Sequence, residues 1–175
     1  SGSPAAGEES SGGGPAGGKE PISVGNIDFR QTGHGEPLTK SQLHSIIDKA
    51  LDNNGISRDP DVRARWHDIM YNQAMKESSG VIDAVNKGDV NAVGARQADG
   101  APQNCSRGLW QVTAETFSRH HVGGTSMAIY DPVANASASV AYQVAKDADR
   151  GNDIRSGAGL VSYHSRRAGA GYGAY

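Results

Sequence analysis

Two Asp-Pro pairs, Asp59-Pro60 and Asp131-Pro132, constrain the fold more than any other feature of this chain, because each marks the start of a long helix. Aspartate is a preferred N-cap, and proline at the first helical position has no N–H to leave unsatisfied. After the first pair, Val62, Trp66, Ile69, Met70 and Gln73 recur at three- and four-residue steps. That spacing predicts a helix with one buried stripe, stopping near Ser78-Ser79-Gly80. After the second pair, Val133, Ala136, Val140, Ala141, Val144 and Ala148 face one way until Gly151. Their small side chains predict close packing against the first helix.

Shorter elements surround these two. Thr39-Lys40-Ser41-Gln42 is a capping box, and Leu38 is placed to staple onto Leu43. Leu43, Ile46, Ile47, Ala50 and Leu51 continue the stripe until Asn53-Asn54-Gly55 stops it. Thr113 caps a short helix through Phe117, extending toward His121 before Gly123-Gly124, and residues 157–165 form a last one. Between the Pro60 helix and Thr113, residues 80–107 are rich in Gly, Asn, Asp and Ala. Weak alternation at Val81–Val85 and Val90–Val93 predicts a long loop carrying a small β-hairpin, of the kind that often walls a cleft.

This gives four segments. Residues 1–20 read as a disordered Gly/Ser/Pro-rich linker, 21–37 as an extended segment with Ile22, Val24, Ile27 and Phe29, 38–165 as one folded domain, and 166–175 as a Gly/Tyr-rich tail. A net charge of −2 with scattered Lys and Arg gives no pull toward nucleic acid. No apolar run approaches the roughly 18 residues that span a bilayer, and no signal segment opens the sequence. Cys105 is the single cysteine, so an internal disulfide or cysteine-rich metal site is excluded, and it reads as a small loop residue. Six histidines include the adjacent His120-His121 but no His-Glu-x-x-His pattern, so neither a metal nor another cofactor is expected.

Glu77 is the candidate for chemistry. At about 100° per residue it falls within roughly 40° of Trp66, Met70 and Gln73, so its carboxyl points along the inward face of its helix. Partial burial and the negative end of the helix dipole both disfavour its charged form, and Lys76 opposes them only if its side chain folds back. A glutamate kept protonated near neutral pH is what a general acid requires. Taken alone, though, the structural reading wins: a last-turn glutamate that merely flanks the Ser78-Ser79-Gly80 stop.

Several short motifs follow in one order: Glu77-Ser78-Ser79-Gly80, Asp89 with Asn91-Ala92, Ser106-Arg107-Gly108-Leu109-Trp110-Gln111, Thr116-Phe117, Ile129-Tyr130-Asp131-Pro132 and Asn135. The ordered set resembles the soluble lytic transglycosylase family, in the form found in phage tail tape-measure proteins and actinobacterial secreted proteins, over roughly residues 60–165. The resemblance implies an α+β, predominantly α, lysozyme-like fold of the goose-type lysozyme and transglycosylase kind with a small β-hairpin. It implies peptidoglycan glycan strands as substrate, a monomer, and extracytoplasmic or virion-associated action within a larger phage or secreted polypeptide. Glu77 matches the family's catalytic glutamate. Ser106, Gly108, Leu109 and Gln111 match its Gly-Leu-Met-Gln cleft segment, Asp89 a further family position, and Tyr163 the tyrosine of its Tyr-Asn-Ala-Gly motif. Trp110 replaces the usual methionine, Ala114 the usual proline, and His164-Ser165 the Asn-Ala. Trp110 could stack on a sugar or lie in the core.

Three functions fit such a chain. The first is cleavage of the β-1,4 MurNAc-GlcNAc bond with Glu77 as acid and then base, giving a 1,6-anhydro-MurNAc end. The second is a hydrolytic muramidase in which Asp83, Asp89 or Asp99 activates water. The third is a non-catalytic peptidoglycan-binding or spacer domain.

Overall fold

A computed structural model describes residues 18–173. Among the described residues five α-helices carry the fold: α1 (Lys40–Asn53), α2 (Pro60–Ser78), α3 (Ala114–His120), α4 (Pro132–Ala148) and α5 (Gly157–Gly169). α1 packs against both α2 and α4, α5 lies on α2, and α3 lies on α4.

The predicted starts of α1 to α4 are side-chain caps, whereas Ser156 ahead of α5 makes no capping bond. Thr39 Oγ1 accepts from Gln42 N at 3.1 Å while Gln42 Oε1 accepts from Thr39 N at 2.9 Å. Asp59 accepts from Asp61 N and Val62 N, and Asp131 accepts from Ala134 N, in both cases ahead of a proline at the start of the helix. These bonds satisfy amides that the helix itself leaves without partners. α2 ends where Ser79 turns left-handed at φ 55°, followed by Gly80 at φ 79°.

Leu43, Ile47, Ala50 and Leu51 of α1 are fully buried with Trp66, Ile69, Met70 and Ala74 of α2. The small residues of α4 serve a different neighbour from the one expected. Its backbone packs on α1, where Asn53 Nδ2 donates to Ser137 Oγ and Asn54 Nδ2 to Ser137 O. α2 and α4 meet instead through long side chains: Gln73 and Gln143 exchange two amide hydrogen bonds of 2.8 and 3.0 Å.

The β-hairpin expected in residues 80–107 does not form. Among the described residues there are only isolated bridges, including Val85 with Arg107 and Arg96 with Pro102. The backbone is diverted into local turns, since Asn86 Oδ1 accepts from Gly88 N and Asp89 Oδ1 from Asn91 N. Such Asx turns compete directly with strand pairing. Val90 and Val93, half of the alternating pattern, stand in solvent at 93% and 65% exposure.

The segment boundaries also shift. Residues 1–17 of the expected linker lie outside the described residues, but Glu20 N donates to His121 O and Gly123 N to Gly18 O, so residues 18–20 already pair with the domain. In the 21–37 segment, Ile27 and Phe29 are buried, and Asp28 bonds through its backbone to Met127 and Ile129. At the other end α5 continues through Arg166 and Arg167 to Gly169, because Arg166 pairs with Asp147 at 2.6 Å. Tyr172 Oη then donates to Asp68 Oδ2 at 2.9 Å, docking the start of the expected tail on α2. Residues 174–175 lie outside the described residues.

Candidate active site

A cavity of ≈ 370 Å³ opens beside the C-terminal end of α2 and is lined by Lys76 and Glu77. Ser106, Trp110, Gln111 and Val112 form one side, Thr113 and Thr116 of the α3 start another, and Ser139 and Tyr142 of α4 close it. Glu77 is half-buried, and no hydrogen bond reaches its carboxyl from the described residues. Burial pushes this carboxyl above its ordinary range, with Lys76 opposing the shift. The cause is the one its position on the helix predicts: loss of hydration penalises the ionised form.

The turn facing Glu77 is held from beneath by Asn135 of α4. Asn135 Oδ1 accepts from Trp110 N at 2.9 Å, and its Nδ2 donates to Arg107 O and Ile129 O. Gly108 has φ 84°, and a Cβ on it would overlap the Asn135 amide. Gly108 is therefore required by packing and backbone conformation, and it does not line the cavity. Leu109 is 1% exposed and belongs to the core. Trp110 is equally buried, and its Nε1 donates to Met70 O at 2.9 Å. It forms the cavity floor and offers no open face for stacking on a sugar.

Gln111 adopts φ 51°, a left-handed conformation uncommon for a residue with a side chain. Its Nε2 donates to Ala84 O and Gly108 O, which ties the turn to the excursion. With both amide hydrogens committed, the carboxamide oxygen is the group left for a ligand.

Arg107, inside the matched motif but given no role by sequence reasoning, organises the loop behind the cavity. Its buried guanidinium makes a two-point ion pair with Asp99 at 2.6 and 3.1 Å. The remaining N–H groups donate to the carbonyls of Ala101, Pro102, Gln103 and Cys105, and the Phe29 ring lies 4.6 Å away. Burial by itself would raise the Asp99 carboxyl, but hydrogen bonds from Arg107, Tyr130 and the Ala101 amide hold it below the usual range. Cys105 is buried in the same loop, with its Sγ 3.6 Å from Asn86 O.

The three aspartates weighed as a water-activating base are all placed elsewhere. Asp99 is consumed by Arg107. Asp83 accepts from Thr32 N, Thr32 Oγ1 and Gly33 N at 2.7–2.8 Å, clasping the N-terminal segment. Asp89 is exposed, closes its own turn and does not line the cavity. Among the lining residues Glu77 is the one carboxylate.

Tyr163 sits one layer behind the cavity. It is buried, and its hydroxyl donates to Gln143 Oε1, whose Nε2 reaches Ser139 Oγ at 3.1 Å on the cavity wall. Burial pushes the Tyr163 hydroxyl far upward, so it stays a neutral donor. Sequence reasoning missed Ser139 and Tyr142. The available signal was polarity: Ser139, Tyr142 and Gln143 interrupt a helix otherwise rich in alanine and valine, at three- and four-residue steps. No group of three or more His, Cys, Asp or Glu side chains among the described residues is gathered as metal ligands would be.

This arrangement is one half-buried acid over a polar turn in a mostly helical domain, and the family that matches the chain makes its fold lysozyme-like. A model of the Transglycosylase SLT domain matches residues 62–167, more than half of the chain, and the chain belongs to that family, whose activity is lytic transglycosylation of peptidoglycan. No curated protein and no solved structure matches the chain. None of the helices among the described residues is long and apolar enough to cross a membrane.

Proposed function

We propose that this domain cleaves the β-1,4 bond between MurNAc and GlcNAc, with Glu77 acting first as acid and then as base. The observation that carries the reading is that Glu77 is half-buried, raised in pKa and the one carboxylate among the residues lining the cavity. Protonated Glu77 gives its proton to the leaving GlcNAc oxygen as the glycosidic bond breaks. The acetamido oxygen of MurNAc attacks C1 from the opposite side, so the protein need supply no nucleophile. Ionised Glu77 then takes the proton of the sugar's own 6-hydroxyl. That oxygen displaces the acetamido oxygen at C1 and closes the 1,6-anhydro ring, with no water consumed.

The positions of Asp83, Asp89 and Asp99 support this route over the hydrolytic one in which an aspartate across the sugar activates water. The Gln111 carboxamide oxygen is suited to accept from the acetamido N–H. Ser106, Thr113, Thr116 and Tyr142 supply hydroxyls for the sugar, and Tyr163 acts through Gln143 and Ser139 as a positioning residue. Gly108 and Leu109 contribute by shaping the turn.

The test is mass spectrometry of muropeptides released from sacculi by the wild-type protein and by Glu77→Gln. Wild type is expected to release 1,6-anhydro ends, lighter by one water than hydrolysis products. Glu77→Gln is expected to lose at least about a hundredfold in rate, the lower range for a general acid-base group. Undiminished cleavage by that variant would reject the assignment, and products with free reducing ends would favour a hydrolase.

A further inference from the structure

The two helices that wall the cavity do not touch through their backbones. α2 supplies Lys76 and Glu77 and α4 supplies Ser139 and Tyr142, yet no Cα of α2 comes within 8 Å of one in α4. Each helix packs instead on α1, which leaves between them a gap wider than that between helices in direct contact. The width of the groove is therefore set by the side chains that span this gap.

Gln73 and Gln143 span it. Gln73 Nε2 donates to Gln143 Oε1 at 2.8 Å, and Gln143 Nε2 donates back to Gln73 Oε1 at 3.0 Å. Both residues are buried, at 0% and 2% exposure, within a core that includes Trp66, Ile69, Met70 and Val140. Gln143 is fixed from two further sides. Its Oε1 also accepts from the Tyr163 hydroxyl, and its Nε2 also donates to Ser139 Oγ at 3.1 Å and lies 3.5 Å from Met70 Sδ. Both lone pairs and both hydrogens of that carboxamide are thus engaged.

Two apolar side chains of the same shape would fill this space at nearly the same stability, because a buried amide regains by hydrogen bonding little more than it loses on leaving water. What the amides add is direction. Two reciprocal N–H···O bonds are met at one separation and one register, whereas apolar contact is non-directional and tolerates sliding. One turn from Gln73, about 6 Å along α2, stands Glu77, and one turn from Gln143, in the opposite sense along α4, stands Ser139. The amide pair therefore lies one level behind the cavity and ties the helix that carries the acid to the helix that carries the facing hydroxyls.

We propose that Gln73 is a positioning residue: through its amide pair with Gln143 it sets the spacing between the α2 and α4 walls and so holds Glu77 at the linkage to be cut. The inference rests on the reading of Glu77 as the acid and base of the groove, and it adds a residue that does not itself line the cavity.

Gln73→Met tests it. The change nearly conserves volume and removes both cross-helix bonds, while Gln143 Oε1 keeps Tyr163 and its Nε2 keeps Ser139. The melting temperature is expected to stay within about 5 °C of wild type. On soluble, uncrosslinked glycan strands, kcat per folded molecule is expected to fall by about ten- to a hundredfold with KM moving less than about threefold, since a misplacement near 1 Å suffices for such a loss. Gln73→Asn keeps the amide but shortens its reach by one methylene, and it should lose kcat to the same order. That variant separates spacing from hydrogen bonding, and it serves also if the methionine variant does not fold. Adding Gln73→Met to Gln143→Met should cost no further kcat, because the pair is already gone. Wild-type kcat in the folded Gln73 variants, or a full further loss in the Gln143→Met background, overturns the spacing role and leaves the groove standing. Undiminished cleavage by Glu77→Gln, measured in parallel, would instead reject the groove and this role with it.

Discussion

α1 buries Leu43, Ile47, Ala50 and Leu51 completely, whereas the excursion between α2 and α3 buries a guanidinium and a carboxylate and rests on the buried Asn135 carboxamide of α4. The first region draws its stability from apolar area, which is non-directional and shared among many neighbours. The second draws it from Arg107, Asn135 and Asp83, each holding two or more backbone groups in fixed directions, and from Asp99, which holds Arg107, Tyr130 Oη and the Ala101 amide. A frame made the first way tolerates change gradually. A loop made the second way is accurate only while every partner is present, because an unpaired buried polar group costs far more than a lost contact.

The sharpest attack on this contrast is Arg107→Met, which strands Asp99 without its cation. Removing one partner of a buried pair is expected to cost about 3–5 kcal/mol, read by urea denaturation. Arg107→Met with Asp99→Leu should recover part of that loss. A single-variant cost below about 1 kcal/mol would show that the loop does not depend on its ion pair.

Ile47→Ala tests the other region. It should cost about 2–4 kcal/mol by opening a cavity in the frame. Turnover per folded molecule should nevertheless stay at the wild-type value, since α1, which carries Ile47, contributes no residue to the cavity lining. A variant that remains folded but loses turnover would erase the distinction between frame and loop.

Gly108→Ala should cost less, about 1–3 kcal/mol, from its positive φ and the overlap with Asn135. Here the signature is the reverse of Ile47→Ala: turnover of the folded fraction drops because the Trp110-Gln111 segment shifts. Stability and activity measured side by side on the two variants separate the regions most directly.

The smallest effect concerns pH. Glu77 is raised in the folded protein, so the folded state holds its proton more tightly than the unfolded chain does. Its folding contribution is fully present below the ordinary carboxylate range and declines as pH rises through the elevated value. Glu77→Gln should therefore match wild type in melting temperature at acid pH and gain slightly near neutrality. The activity of the wild type should fall on the alkaline side over the same interval. A variant no more stable at neutral than at acid pH, relative to wild type, would place Glu77 in ordinary solvent.

The helical frame was legible because its instructions are local. Thr39, Asp59 and Asp131 cap within three residues of themselves, and the stripes of α1 and α2 repeat at the helical period. The same period aimed Glu77 at the cavity. The excursion was not legible, since its order comes from pairs distant in sequence or without pattern: Arg107 with Asp99, Asn135 with Gly108, Asp83 with Thr32. The alternation at Val90 and Val93 suggested a strand because side-chain pattern alone cannot report that Asn86 and Asp89 have already captured the backbone amides. Trp110 was ambiguous for a related reason, since its indole N–H is satisfied by Met70 O, a partner invisible from the motif.

The family match starts at residue 62, yet α1 and the Thr32–Asp83 clasp precede or straddle that point. Homology and autonomous folding thus have different borders in this molecule. A fragment trimmed to residues 62–167 would leave bare the faces of α2 and α4 that α1 covers, and would be expected to clump rather than fold.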